Sequence, residues 1–149
     1  MVHDNTGVPV IVTDNGLGPY QQTVRIGTHA FIADEPSSLG GQDAGPAPFE
    51  LLLAGLGACT SITLRMYADR KQLPLTGVSV LLTQDKVADE ERGTMDRIVR
   101  TITLNGDLTA EQRRMLLTIA NKCPLHRALQ SGLRIDSALA DEDTGKIPS

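Results

Sequence analysis

The side chains with the widest chemical range in this 149-residue sequence are its two cysteines, Cys59 and Cys123. A thiolate is a strong nucleophile and a metal ligand, whereas a protonated thiol is inert, so the surroundings of each sulfur decide what it does. Cys123 directly precedes Pro124, where a helix must break and can restart, which places its sulfur at a helix N-terminus. The unpaired N–H groups and the dipole at such an end favour the thiolate. His126 and Arg127 follow on the same turn and add positive charge. Cys59 lies in the most apolar stretch of the chain, where a cysteine ordinarily acts as a small core hydrophobe. A third chemistry would combine Cys59, Cys123 and His126 as three zinc ligands, with no evident fourth.

Other charged residues have plainer readings. Glu50 is the only carboxylate between Asp43 and Asp69 and falls in the first turn of a helix, where it complements the dipole. Nine residues of helix put it roughly 13 Å from Cys59, so a bend or a second chain is needed for both to serve one site. Arg25 and His29 fall on a strand and Arg65 on a helix, positions that are usually surface. No phosphate-binding loop, nucleophile elbow or His-Glu-x-x-His motif is present.

The elements that must position these residues follow from patterning. Val8 to Thr13 and the alternating run Tyr20 to Ala33 predict a hairpin across the turn at Asp14 to Pro19. Asp34 to Pro46 is dense in breakers and reads as a loop. Pro48 to Gln72 predicts a long helix with Pro48 at its first position, apolar all round from Leu51 to Cys59 and therefore buried. Gly55 and Gly57 within it make sense if another helix packs closely there, as in a homodimer core. Val78 to Val87 and Arg97 to Leu104 read as strands joined by the charged stretch Ala88 to Asp96. Thr109 and Gln112 form a capping box opening a second helix, which Pro124 should interrupt at Cys123. Leu125 to Gln130 is a short helical piece, and Leu133 to Leu139 a last strand. The pattern is that of one α+β domain over 1–149, an antiparallel sheet with helices on one side, its ends at 1–7 and 140–149 expected to fray.

Composition excludes several function classes. Aromatic residues make up 3% of the chain and Trp is absent, which argues against base stacking on single-stranded nucleic acid. A net charge of −4 argues against binding a phosphate backbone or an anionic membrane. Met1 to Asn15 shows no signal-peptide pattern, and Phe49 to Met66 reads as too short and too polar to span a bilayer. A cytoplasmic protein with free or redox-active cysteines is the expectation.

The run Pro48-Phe49-Glu50-Leu51-Leu52-Leu53-Ala54-Gly55-Leu56-Gly57-Ala58-Cys59-Thr60, followed by Cys123-Pro124-Leu125-His126-Arg127, resembles the OsmC/Ohr family of osmotically inducible and organic-hydroperoxide-resistance proteins. The resemblance runs from about Tyr20 to Leu139, and Ala33 to Pro46 resembles an OsmC-like branch. It implies an intertwined homodimer, with antiparallel sheets around two central buried helices. It also implies a thiol peroxidase without a bound cofactor. By that resemblance Cys59 attacks the hydroperoxide, Cys123 resolves the sulfenic acid to a disulfide, and an external dithiol, protein or small molecule, reduces the pair. Family members hold the thiolate with an arginine steadied by the glutamate that Glu50 matches. No arginine stands in that flanking context here; Arg25 is the nearest by strand position, with His126 and Arg127 as further candidate cations. Two alternatives share the fold: a non-catalytic redox sensor or small apolar-ligand binder, and a zinc-binding structural protein.

Overall fold

A computed structural model describes residues 7–140, and the expectations for the two chain ends fall almost entirely outside them. Strands β1 (Val10–Asp14), β2 (Gln22–Ile26) and β3 (His29–Ala33) form an antiparallel sheet in that order, with Val24 opposite both Val12 and Phe31. The run expected as one strand is therefore two. Gly27, at φ 58°, opens a two-residue turn between Ile26 and His29, a conformation that costs glycine little. The breaker-rich segment after β3 is a loop with one 3₁₀ turn, Ser37–Leu39. The buried carboxylate of Asp34 gathers it by accepting the backbone N–H groups of Glu35, Gln42 and Ala44.

Helix α1 (Pro48–Lys71) starts at its proline, carries Glu50 in the first turn, and ends at Gln72 in the left-handed conformation. It lies against β4 (Leu75–Asp89), which pairs with β5 (Gly93–Gly106) in a separate two-stranded sheet. That hairpin is longer than expected, because most of the charged stretch pairs in register instead of looping. Asp85 faces Arg97, and Lys86 faces Asp96, so opposite charges meet across the strands. The two sheets replace the single sheet expected from the sequence.

Helix α2 (Ala110–Ala120) opens with the anticipated capping box, Thr109 with Gln112. It stops three residues ahead of the expected break, and α3 (Pro124–Ser131) starts at the proline with Cys123 as its N-cap. The segment Leu133 to Leu139 is not a strand; it runs exposed, with no neighbouring strand among the described residues to supply a ladder. Leu64, Leu116 and Ala120 form the buried centre, with Tyr67, Val78, Ile102 and Leu104 packed around them.

The glycines of α1 admit neighbours, though not a second helix alone. A Cβ on Gly57 would stand 2.7 Å from Leu82 of β4, and one on Gly55 3.4 Å from Leu125 of α3. By length and hydropathy α1 would reach across a bilayer, contrary to the sequence expectation. Its flanks are instead taken by β4, α2 and α3, and its buried Thr60 and Thr63 fit the core helix of a globular domain. Ile62 and Met66 nevertheless remain 49% and 40% exposed, so α1 is not fully enclosed by its own chain.

Candidate active site

Three elements converge on the two sulfurs: α1 brings Cys59, the α2–α3 junction brings Cys123, and β5 brings Arg100. Both cysteines are free thiols. Cys123 is wholly buried, while Cys59 keeps partial access to solvent. The first turn of α3 serves both: the His126 N–H donates to Cys123 Sγ at 3.4 Å, and the Leu125 N–H is aimed at Cys59. Proline at the first position of α3 makes this possible, since it starts the helix directly beyond Cys123 and leaves the next N–H groups unclaimed.

The environment of Cys59 is not uniformly activating. Burial pushes its thiol up, and Cys123 beside it pushes the same way. The Leu125 N–H and the Thr63 hydroxyl oppose this and do not overcome it. Within its own chain Cys59 is thus held as a thiol at neutral pH.

Positive charge enters from a residue that sequence reasoning passed over. Arg100 donates to Thr60 Oγ1 at 2.9 Å and to Asn121 Oδ1 at 2.9 Å, and its guanidinium lies 3.2 Å from His126 Nδ1. A guanidinium only donates, so His126 Nδ1 must be the unprotonated nitrogen of a neutral ring. Burial lowers the His126 pKa and the Arg100 charge lowers it further, in agreement with that tautomer. All three acceptors are neutral, and among the described residues no carboxylate pairs with Arg100. Its charge is therefore uncompensated. Thr60 links it to the sulfurs, because its hydroxyl lies 4.0 Å from Cys123 Sγ while donating to the Leu56 carbonyl at 2.7 Å.

Arg100 and His126 line a cavity of about 610 Å³ whose walls combine Leu56, Ile98, Leu117 and Leu129 with the charged Arg92, Asp96 and Arg97. The signal for Arg100 was present in the strand pattern. Ile98, Arg100, Ile102 and Leu104 alternate onto the inner face of β5 while their neighbours face out, and a charge on that face has to be used or satisfied.

The other sequence candidates are placed apart. Glu50 is exposed in the first turn of α1, and Arg25 is exposed on β2, opposite Ile11 and Ala30. Neither lines the cavity. Arg127 points away from His126 into a second, smaller cleft. Arg65 tethers α1 to β4 through the Leu75 carbonyl at 2.7 Å. Among the described residues no three of His, Cys, Asp and Glu gather as metal ligands, and His126 turns one ring nitrogen to Arg100, so the three-ligand set of Cys59, Cys123 and His126 is not assembled.

Comparison with known proteins bears on this arrangement. The family model described as OsmC-like protein matches residues 40–138, which hold both cysteines and Arg100. The chain belongs to the OsmC-like family. Among curated proteins no sequence matches. An OsmC-like protein from Mycoplasma pneumoniae is similar at 18% identity and TM-score 0.70, with 85% of this chain and 89% of that one covered. An organic hydroperoxide resistance protein OsmC from Legionella pneumophila matches at 23% and 0.62, covering 82% and 89%. An organic hydroperoxide resistance protein from Elizabethkingia anophelis matches at 21% and 0.62, covering 85% and 88%. These likenesses establish the α+β OsmC fold.

Proposed function

We propose that this OsmC-like chain is a cysteine-based hydroperoxide reductase acting in the cytoplasm as a homodimer. The observation that carries the reading is the pair of free thiols at the first turn of α3, beside Arg100, which pairs with no carboxylate among the described residues, and the cavity that Arg100 lines. The Cys59 thiolate attacks the terminal peroxide oxygen, the O–O bond breaks, and the alkoxide leaves as an alcohol after taking a proton. Cys59 is then a sulfenic acid. The Cys123 sulfur attacks that sulfur, expels the oxygen as water and closes a disulfide. A dithiol reduces it by exchange, one sulfur at a time. Partial exposure suits Cys59 to meet substrate, and burial suits Cys123 to resolution. Leu56, Leu117 and Leu129 in the cavity wall offer contact to the carbon chain of an organic hydroperoxide.

A second chain would cover Ile62 and Met66 on α1 and bring further charge to the site, Glu50 and Arg25 being the sequence candidates. Arg100 supplies charge from within the chain, and neutral His126 accepts from its guanidinium. The test is to add a slight excess of an organic hydroperoxide to reduced protein and map the product by mass spectrometry. A loss of two hydrogens located at Cys59–Cys123, abolished in Cys59→Ser, is the expected result. Thiols that persist would refute the cycle. One observation favours a different reading, a redox sensor or apolar-ligand binder: burial holds Cys59 protonated. That reading requires a disulfide that forms without turnover, or ligand binding untouched by loss of Cys59.

A further inference from the structure

Around Thr63, one turn beyond Cys59, α1, the α2–α3 junction and α3 enclose a cleft of about 180 Å³. Arg70, Lys122 and Arg127 line it, and no acidic residue does, in a chain whose net charge is −4. None of the three makes a salt bridge among the described residues. Arg70 is stacked 5.7 Å above the Tyr67 ring, which fixes its guanidinium at the rim. The floor holds Thr63, whose buried hydroxyl is directed toward Cys59.

Helix electrostatics account for only part of this. Arg70 sits in the last turn of α1, where the dipole welcomes a cation. Arg127 sits in the first turn of α3, where the dipole opposes one. Thr63 is one turn, about 5.4 Å, beyond Cys59 on the same face of α1, and its hydroxyl is directed toward that sulfur. A molecule that meets Cys59 with one end can therefore place its other end among the three cations.

We infer that this cleft is an anion subsite that receives the carboxylate end of a small thiol which exchanges with Cys59. The large cavity and the small cleft share no lining residue, and a two-substrate cycle needs both an entry for hydroperoxide and one for reductant. The cleft is too small for a protein and takes a headgroup of a few atoms. As an anion subsite it stands on the geometry alone; its assignment to the reductant rests on the peroxidase reading. In the exchange the incoming thiolate attacks Cys59 of the disulfide, the Cys59–Cys123 bond breaks, and Cys123 leaves as a thiolate that takes up a proton. A second thiol then attacks the mixed disulfide and frees Cys59.

The test compares two disulfide reagents on the reduced protein, the dianion dithiobis(nitrobenzoate) and neutral dithiodipyridine. Each reacts with the Cys59 thiolate to form a mixed disulfide and release its own thiolate or thione, with no need for peroxidase activity. The expected result is that the rate ratio favouring the dianion falls about tenfold in Arg70→Gln/Arg127→Gln and at raised salt, and is retained in Arg70→Lys/Arg127→Lys. An unchanged ratio in the folded double-glutamine protein overturns the subsite. Oxidised protein is then reduced with mercaptosuccinate and with mercaptoethanol, each scaled to its thiolate concentration. A mercaptosuccinate preference that depends on Arg70 and Arg127 supports the reductant assignment, and equal rates overturn it. Should no disulfide form while the reagent preference persists, the peroxidase reading and the reductant assignment fall and the anion subsite stands.

Discussion

Replacing Arg100 by methionine removes a unit charge from the sulfur pair while keeping an apolar stem on the inner face of β5. The two legs through Thr60 are 2.9 and 4.0 Å, so the guanidinium lies within about 7 Å of Cys123 Sγ. At that separation and an effective dielectric of about 20, one charge stabilises developing thiolate by about 2.4 kcal/mol. Arg100 is only half-buried, and solvent screening reduces this to about 1.4 kcal/mol, a factor of about ten in rate. The assay is reduction of the preformed disulfide by dithiothreitol under pseudo-first-order conditions, where Cys123 leaves as a thiolate. Arg100→Met should slow it about tenfold, and Arg100→Lys should recover part of the loss. Structural damage is separable: Thr60 keeps its bond to Leu56 and Asn121 is exposed, so stability should fall by only about 1 kcal/mol. A folded Arg100→Met protein whose disulfide is reduced within twofold of the parent rate would refute the electrostatic reasoning.

Other expectations follow from the same geometry. Because burial, then Arg100, lowers the His126 pKa, Arg100→Met should move the His126 ring resonance titration upward, as read by NMR. A depressed folded-state pKa means that stability is complete above the unfolded value near 6.5 and declines as pH falls below it; His126→Gln should flatten denaturation midpoints across that window. Burial opposes ionisation of Asp34, yet the N–H groups of Ala44, Glu35 and Gln42 hold its carboxyl below the usual range. Its contribution is therefore present above about pH 4 and lost in more acid solution, and Asp34→Asn should lose stability at pH 7 but little in acid. Leu64→Ala, at the buried centre, should cost about 2–5 kcal/mol in urea denaturation. With Cys59 held as a thiol, its rate with hydroperoxide should climb as pH rises through neutrality, and a flat profile would show that another group activates it.

The sequence by itself determined the local structure around the sulfurs. Pro48 and Pro124 start helices because a missing N–H is harmless at a first position, and Thr109 with Gln112 caps α2 through contacts three residues apart. Cys123 reached the head of α3 for the same short-range reason. What failed depended on partners distant in the chain. Leu133 to Leu139 has a strand's composition but no neighbour to complete a ladder, and Ala88 to Asp96 looks like a loop until its ends pair across the hairpin, Ala88 with Thr94 and Asp96 with Lys86. The same limit hid the site's cation. Arg100 was not singled out, because its only local mark is a charge at an inward position of β5. Its approach to Thr60, Asn121 and His126 joins β5, α1 and the head of α3, which are far apart in sequence. Local propensity set which segments became helices and strands; tertiary packing decided which charge faces the thiols, because electrostatics depends on distance through space.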